Sequence, residues 1–161
     1  MFDLNFIAPD WSKFPLIVFF HKKLTSYFFL QIFGAYCSST WATRNVKDDQ
    51  GNRQQYFGTG ETFLFTFGQG SPCHYPWVNA GNNAVDESET KAEAHKKELF
   101  MCGKPDMISI GGGDGNGILL HEGLTLGKTE RCATFNNPPL CQEGDFSVAA
   151  IEVYGLFKLD Y

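Results

Sequence analysis

Glu61 and Glu152 are acids set inside otherwise apolar, strand-like stretches. That is the pattern of a buried carboxylate with a raised pKa, able to act as a general acid or base. The competing reading is a structural acid paired with Arg44, Arg53, Arg131 or a backbone amide. It is the stronger one, because the sequence shows no convergence of groups on either acid. Cysteine offers a second chemistry. Cys37, Cys73, Cys102, Cys132 and Cys141, with His74, His95 and His121, are the ingredients of a thiolate–imidazole pair. Four of them, Cys37, Cys102, Cys132 and Cys141, adjoin strand-like runs, where a free Cys behaves as a small hydrophobe. His121 follows an apolar run and His95 lies in a polar stretch, so both read as surface residues.

Glycine offers a third chemistry, the cradling of phosphate. The run Gly111-Gly112-Gly113-Asp114-Gly115-Asn116-Gly117 contains no G-x-G-x-x-G frame and lies between two strand-like segments, not ahead of a helix. A strained turn or a closely packed bulge is therefore expected. Gly123 to Thr129 has three residues between its glycines, where a phosphate loop needs four.

The elements that must position these residues are mostly strands. Thr62 to Phe67 sets Phe63, Phe65 and Phe67 two residues apart, so the three share one face of a strand, and that face is expected to be the core. Met107 to Ile110, Ile118 to Leu120 and Phe146 to Tyr154 are further short apolar runs bounded by Gly, Pro or Asp. Residues 79 to 97 are polar and small, with acids ahead of bases. They are expected to form a mobile polar insertion with one short exposed helix capped by Asp86 or Ser88. Short strands with turns between them and almost no helix predict a mainly β (α+β) domain, an antiparallel sandwich rather than a βαβ fold.

Composition narrows the functional classes. In 161 residues, 13 basic against 18 acidic side chains give a net charge of −5, which excludes a general nucleic-acid binder. Five cysteines without a C-x-x-C pair indicate neither a disulfide framework nor a regularly spaced zinc site. A reducing, cytoplasmic setting is expected, with no metal and no cofactor. The apolar run Phe14 to Phe20 contains Pro15 and carries its positive charges after it, unlike a signal peptide, and is far short of the roughly 18 residues of a transmembrane helix. Aromatic residues are unevenly spread: of 16 Phe, 6 Tyr and 3 Trp, nine fall before residue 32.

QIFGAYCSSTW (31–41), YFGTGETFLFTF (56–67), the stretch from MISIGGGDGNG to FNNPPLC (107–141) and FSVAAIEVYGL (146–156) resemble, in order and spacing, the motifs of a TLDc domain. The strings FNNPPLC and AAIEVYG are most similar to the TLDc domain that follows a Rab-GAP TBC domain in the TBC/TLDc synaptic proteins. The resemblance implies a two-sheet antiparallel β-sandwich with few short helices and no established reaction. It implies a module that binds a protein partner, a subunit of the vacuolar proton pump (V-ATPase), and acts in oxidative-stress resistance and vesicle traffic. It implies a cytoplasmic protein, peripheral to vesicle or endolysosomal membranes through its partners. The family-motif positions are Gly58, Gly60, Glu61, Gly111, Gly112, Gly113, Cys132, Phe135, Asn136, Asn137 and Glu152. None is an established catalytic residue.

The motifs cover residues 32 to 157, and a TLDc domain ordinarily begins with a helix and a strand ahead of the equivalent of Phe33. Residues 1 to 31 do not resemble that region. Tyr27-Phe28-Phe29-Leu30-Gln31 is what a pyrimidine-rich intron end followed by CAG encodes, so residues 1–31 are expected to be a non-family leader of intron or alternative 5′ origin. The alternative is that Leu16 to Phe20 and Tyr27 to Phe33 supply replacement strands. At the level of function, the alternative to an interaction module is an uncharacterised hydrolase or redox enzyme using Glu61 or Glu152 with a nearby Cys or His.

Overall fold

In Gln31–Cys37 (β2) every second residue, Phe33, Ala35 and Cys37, is fully buried, as period-two alternation over a half-buried sheet requires. The computed structural model describes the backbone of residues 16–22, and residues 31–67, 71–81 and 88–155 in full. Leu16–Lys22 (β1) pairs antiparallel with β2 on one side and with Asp145–Gly155 (β9) on the other. Beyond β2 lie Phe63–Phe67 (β3) and Pro72–Tyr75 (β4). Leu16 to Phe20 therefore occupies a strand position. Residues 1–15 and 23–30 of the expected leader, Tyr27 to Leu30 among them, lie outside the described residues.

A second antiparallel set contains Met101–Lys104 (β5), Met107–Ile110 (β6), Ile118–His121 (β7) and Leu126–Lys128 (β8). The two sets meet on β9, whose first residues, Asp145 to Ser147, pair with β8 and whose remainder pairs with β1. The register shifts between His21 and Lys22, opposite the point where β9 changes partners; such bulges bend a strand. The order is β4-β3-β2-β1-β9-β8-β7-β6-β5. The long ladder folds on itself as a sandwich. Its core joins Phe33, Ala35 and Leu64 from one sheet to Met101, Ile110, Ile118 and Leu120 from the other, and Phe33 meets Phe146 edge-on at 4.9 Å.

Two expectations change. Phe63, Phe65 and Phe67 do share a face, but it is the outer one: Leu64 is fully buried between them, whereas Phe67 is 46% exposed. Periodicity fixes which residues travel together and not which way they point. The neighbours decide. Leu64 sits opposite Ala35 and against Gly117, while Phe63 stands opposite Tyr36, with which it stacks at 5.3 Å. In the polar insertion the short helix is Lys91–Lys96 (α1), and its cap is Thr90, whose hydroxyl accepts from Glu93 N while the Glu93 carboxylate accepts from Thr90 N at 3.0 Å. This Thr-x-x-Glu capping box satisfies two otherwise orphaned donors. Ser88 is not the cap, and Asp86 lies outside the described residues.

Candidate functional site

The glycine run between β6 and β7 turns sharply, with positive φ at Gly111, Gly113, Asp114 and Gly115. It is a packed turn, not a cradle. A methyl group on Gly111 would come within 2.8 Å of Cys132 Sγ and of the Phe135 ring. The segment Cys132 to Asn137, between β8 and β9, lies directly against it. Fully buried Thr134 fastens the two: its hydroxyl accepts from Gly112 N at 3.2 Å and lies 3.2 Å from the carbonyls of Gly112 and Leu99. Ala133 N donates to the Gly113 carbonyl at 2.7 Å.

Asn137, also fully buried, donates through Nδ2 to the carbonyls of Glu130 and Pro138 and accepts the Cys132 thiol at 3.1 Å. Burial pushes the Cys132 thiol pKa up, against backbone hydrogen bonds at Phe135, Thr134 and Gly117 that pull it down. The Cys37 thiol, with burial alone acting on it, rises to about 12. Thiols held protonated are poor nucleophiles. Cys73 is the exposed thiol.

Aromatic rings carry the same wall towards β3. Phe135 is 6.5 Å from Phe100, and Phe100 is 5.7 Å from Trp77, edge to face. The Trp77 indole lies so close over Gly60 that a methyl there would overlap it, and its N–H donates to the Lys97 carbonyl at 2.8 Å. Gly58, at φ +99, packs on Phe100 and Met101. Thus Gly58, Gly60, Gly111, Gly112, Gly113, Cys132, Phe135, Asn136 and Asn137 are brought together at one end of the sandwich. Trp77, Phe100 and Thr134, which join them, are not singled out by the sequence. Thr134 lies inside the CATFNN string, and a fully buried hydroxyl has no signature there that distinguishes it from a surface one.

The two acids behave differently from the expectation of burial. Glu61 is exposed in the turn before β3, and Glu152 is exposed on β9, accepting from the Tyr154 hydroxyl at 3.1 Å. Register places Glu152 opposite residue 19, Gly34 and then Phe65, so three strand spacings, about 14 Å, separate it from β3, and Glu61 lies four residues further along. They do not form an acid–base pair. His95 and His121 are exposed. Among the described residues no group of three or more His, Cys, Asp or Glu is placed to hold a metal ion.

The class that this fold and site define is an antiparallel β-sandwich whose motif glycines and Cys132–Asn137 segment build one closed, hydrogen-bonded end. The sequence profile of the TLDc domain matches residues 13–157, and the chain belongs to the TLDc domain family. The match includes β1, whereas the motifs quoted above begin at Gln31. The chain is 52% identical over 125 residues to the GTPase-activating protein skywalker of Drosophila melanogaster, covering 78% of this chain and 20% of that protein. It is 35% identical over 125 residues to the human Nuclear receptor coactivator 7, covering 77% of this chain and 10% of that protein. It is 31% identical over 126 residues to Oxidation resistance protein 1 of Yarrowia lipolytica, covering 77% of this chain and 44% of that protein. The chain therefore spans less than half the length of each of these relatives.

Proposed function

We propose that this chain is a non-catalytic TLDc interaction module that binds a cytosolic protein, a subunit of the vacuolar proton pump, and serves oxidative-stress resistance and vesicle-traffic control. The observation that carries the reading is the end wall: the Thr134 hydroxyl, the Asn137 amide and the Cys132 thiol are buried and hydrogen-bonded within it. Little chemistry is left for a substrate there, and the exposed acids lie apart from each other. The relatedness to a protein named for oxidation resistance supports the physiological half of the reading. The GTPase-activating description belongs to a relative of which this chain covers 20%, and it is not carried over. No helix among the described residues is long and apolar enough to cross a membrane. The protein acts in the cytoplasm and reaches vesicle or endolysosomal membranes through its partner.

Co-purification from cytosolic extract with the whole chain as bait, scored by mass spectrometry for pump subunits, tests this. Enrichment over bare resin is expected, and Glu61→Gln and Glu152→Gln should capture as well as the parent. Absence of pump subunits, with a full-length TLDc protein positive in parallel, overturns the reading.

A further inference from the structure

We propose that Arg131, oriented by Asn136, is the anchor through which this domain takes a carboxylate of an acidic partner protein. The inference rests on the interaction-module reading and specifies the chemistry of its contact. Both residues are exposed. Arg131 donates from Nε and Nη2 to the single oxygen Asn136 Oδ1, at 2.9 and 2.5 Å. A guanidinium has five donors in one plane, and this arrangement occupies one of its edges. The edge formed by the two terminal nitrogens stays open to a carboxylate, which it can hold with two parallel charge-assisted hydrogen bonds.

The pair stands on a rigid base. Asn136 has φ +48 and donates its N–H to the Cys132 carbonyl at 2.9 Å, while Cys132, Phe135 and Asn137 on either side of it are buried. The Arg131 carbonyl is seated against Gly115, where no larger residue fits. An arginine fixed in advance loses less side-chain freedom when a partner arrives, and arginine is enriched among the residues that dominate interface energetics.

Charge separates Arg131 from its surroundings. The ion pairs at this end close on themselves: Lys96 with Asp114, Lys97 with Glu89 and Lys128 with Glu130, each at 2.6 Å. Among the described residues Arg131 has no ion pair; an amide oxygen orients it without cancelling its charge. Lys47, Arg53, Lys91 and Lys104 are also exposed cations, but among the described residues no side-chain hydrogen bond holds them in place. An oriented and uncompensated guanidinium fits an acidic side chain and not a basic surface.

The test applies the whole labelled chain to an array of peptides, each made in an Asp/Glu form and in the matching Asn/Gln form. Retention by a subset of acidic peptides at least about tenfold above their amide counterparts is expected, the scale of a hydrogen bond to a charged group. Arg131→Gln and Arg131→Glu should abolish that preference. Arg131→Lys should keep part of it, because an ammonium cannot bond a carboxylate side by side. Asn136→Gly, which tolerates the positive φ but releases the guanidinium, should lower it severalfold. Unchanged melting temperatures of the Arg131 variants show that the fold is intact.

A parent chain that does not tell acid from amide, or an Arg131→Gln chain that still does, overturns the proposal. Binding of the parent and of Arg131→Gln to the purified peripheral sector of the proton pump separates the two claims. Equal binding by both overturns the Arg131 anchor and leaves the module reading standing. Acid preference without pump binding supports the anchor and overturns the pump as partner.

Discussion

Thr134 shows how a single buried hydroxyl ties three chain segments, because it accepts from Gly112 N and has carbonyls of residues 99 and 112 within reach. Thr134→Val keeps the shape and leaves those groups without their partner, which costs about 1–3 kcal/mol; urea unfolding should show this loss. Cys37 makes a pH prediction. Its thiol pKa is 9.0 in the reference state and is raised to about 12 when folded. A raised folded pKa means that the unfolded chain loses its proton first, so the Cys37 contribution to stability is complete below pH 9.0 and is lost as pH rises from there to about 12. Cys37→Ala should flatten this alkaline decline, as measured by chemical unfolding at stepped pH. Alkylation of the native protein at neutral pH should label Cys73 well before the four buried thiols. At this scale the sequence was partly legible. Cys37, Cys102, Cys132 and Cys141 are small buried residues, as their context implies. Burial of the acids was not legible: Glu61 falls in the turn before β3, and Glu152, between apolar neighbours in β9, points to the outer face as readily as inward.

At the scale of elements, β6, β7 and β9 lie where short apolar runs end in Gly, Pro or Asp, since turn residues punctuate strands for backbone reasons that sequence displays. The direction of β3 was not legible. Three phenylalanines look like a core, yet the inward positions belong to Thr62, Leu64 and Thr66, which match the space left by Ala35 and Gly117. That match depends on strands far away in sequence. Leu64→Ala should therefore cost 2–5 kcal/mol, roughly the range for a fully buried Leu. Phe67→Ala should cost at most about 1 kcal/mol. Thermal or urea denaturation of the two variants compares them directly, and a larger loss from Phe67→Ala would reverse the assigned faces. α1 was anticipated as a short exposed helix, but its start was missed because Thr90-x-x-Glu93 sits two residues beyond the more obvious Ser88.

The whole molecule is one ladder of strands closed into a sandwich by β9, which belongs to both sheets. Membership of the TLDc family and the mainly β architecture could be read from ordered motifs, since those motifs contain the turns and close approaches that the fold cannot do without. The grouping of Trp77, Phe100 and Phe135 behind the glycines could not, because those rings come from positions 77, 100 and 135 and meet only in the folded state. The central proposal is that this assembly binds a protein partner. Its most direct test is a binding isotherm of the purified whole chain on the purified peripheral sector of the vacuolar proton pump. Saturable binding, unchanged by Glu61→Gln and Glu152→Gln, is the predicted result. No saturable binding, where a full-length TLDc relative binds under the same conditions, would contradict it.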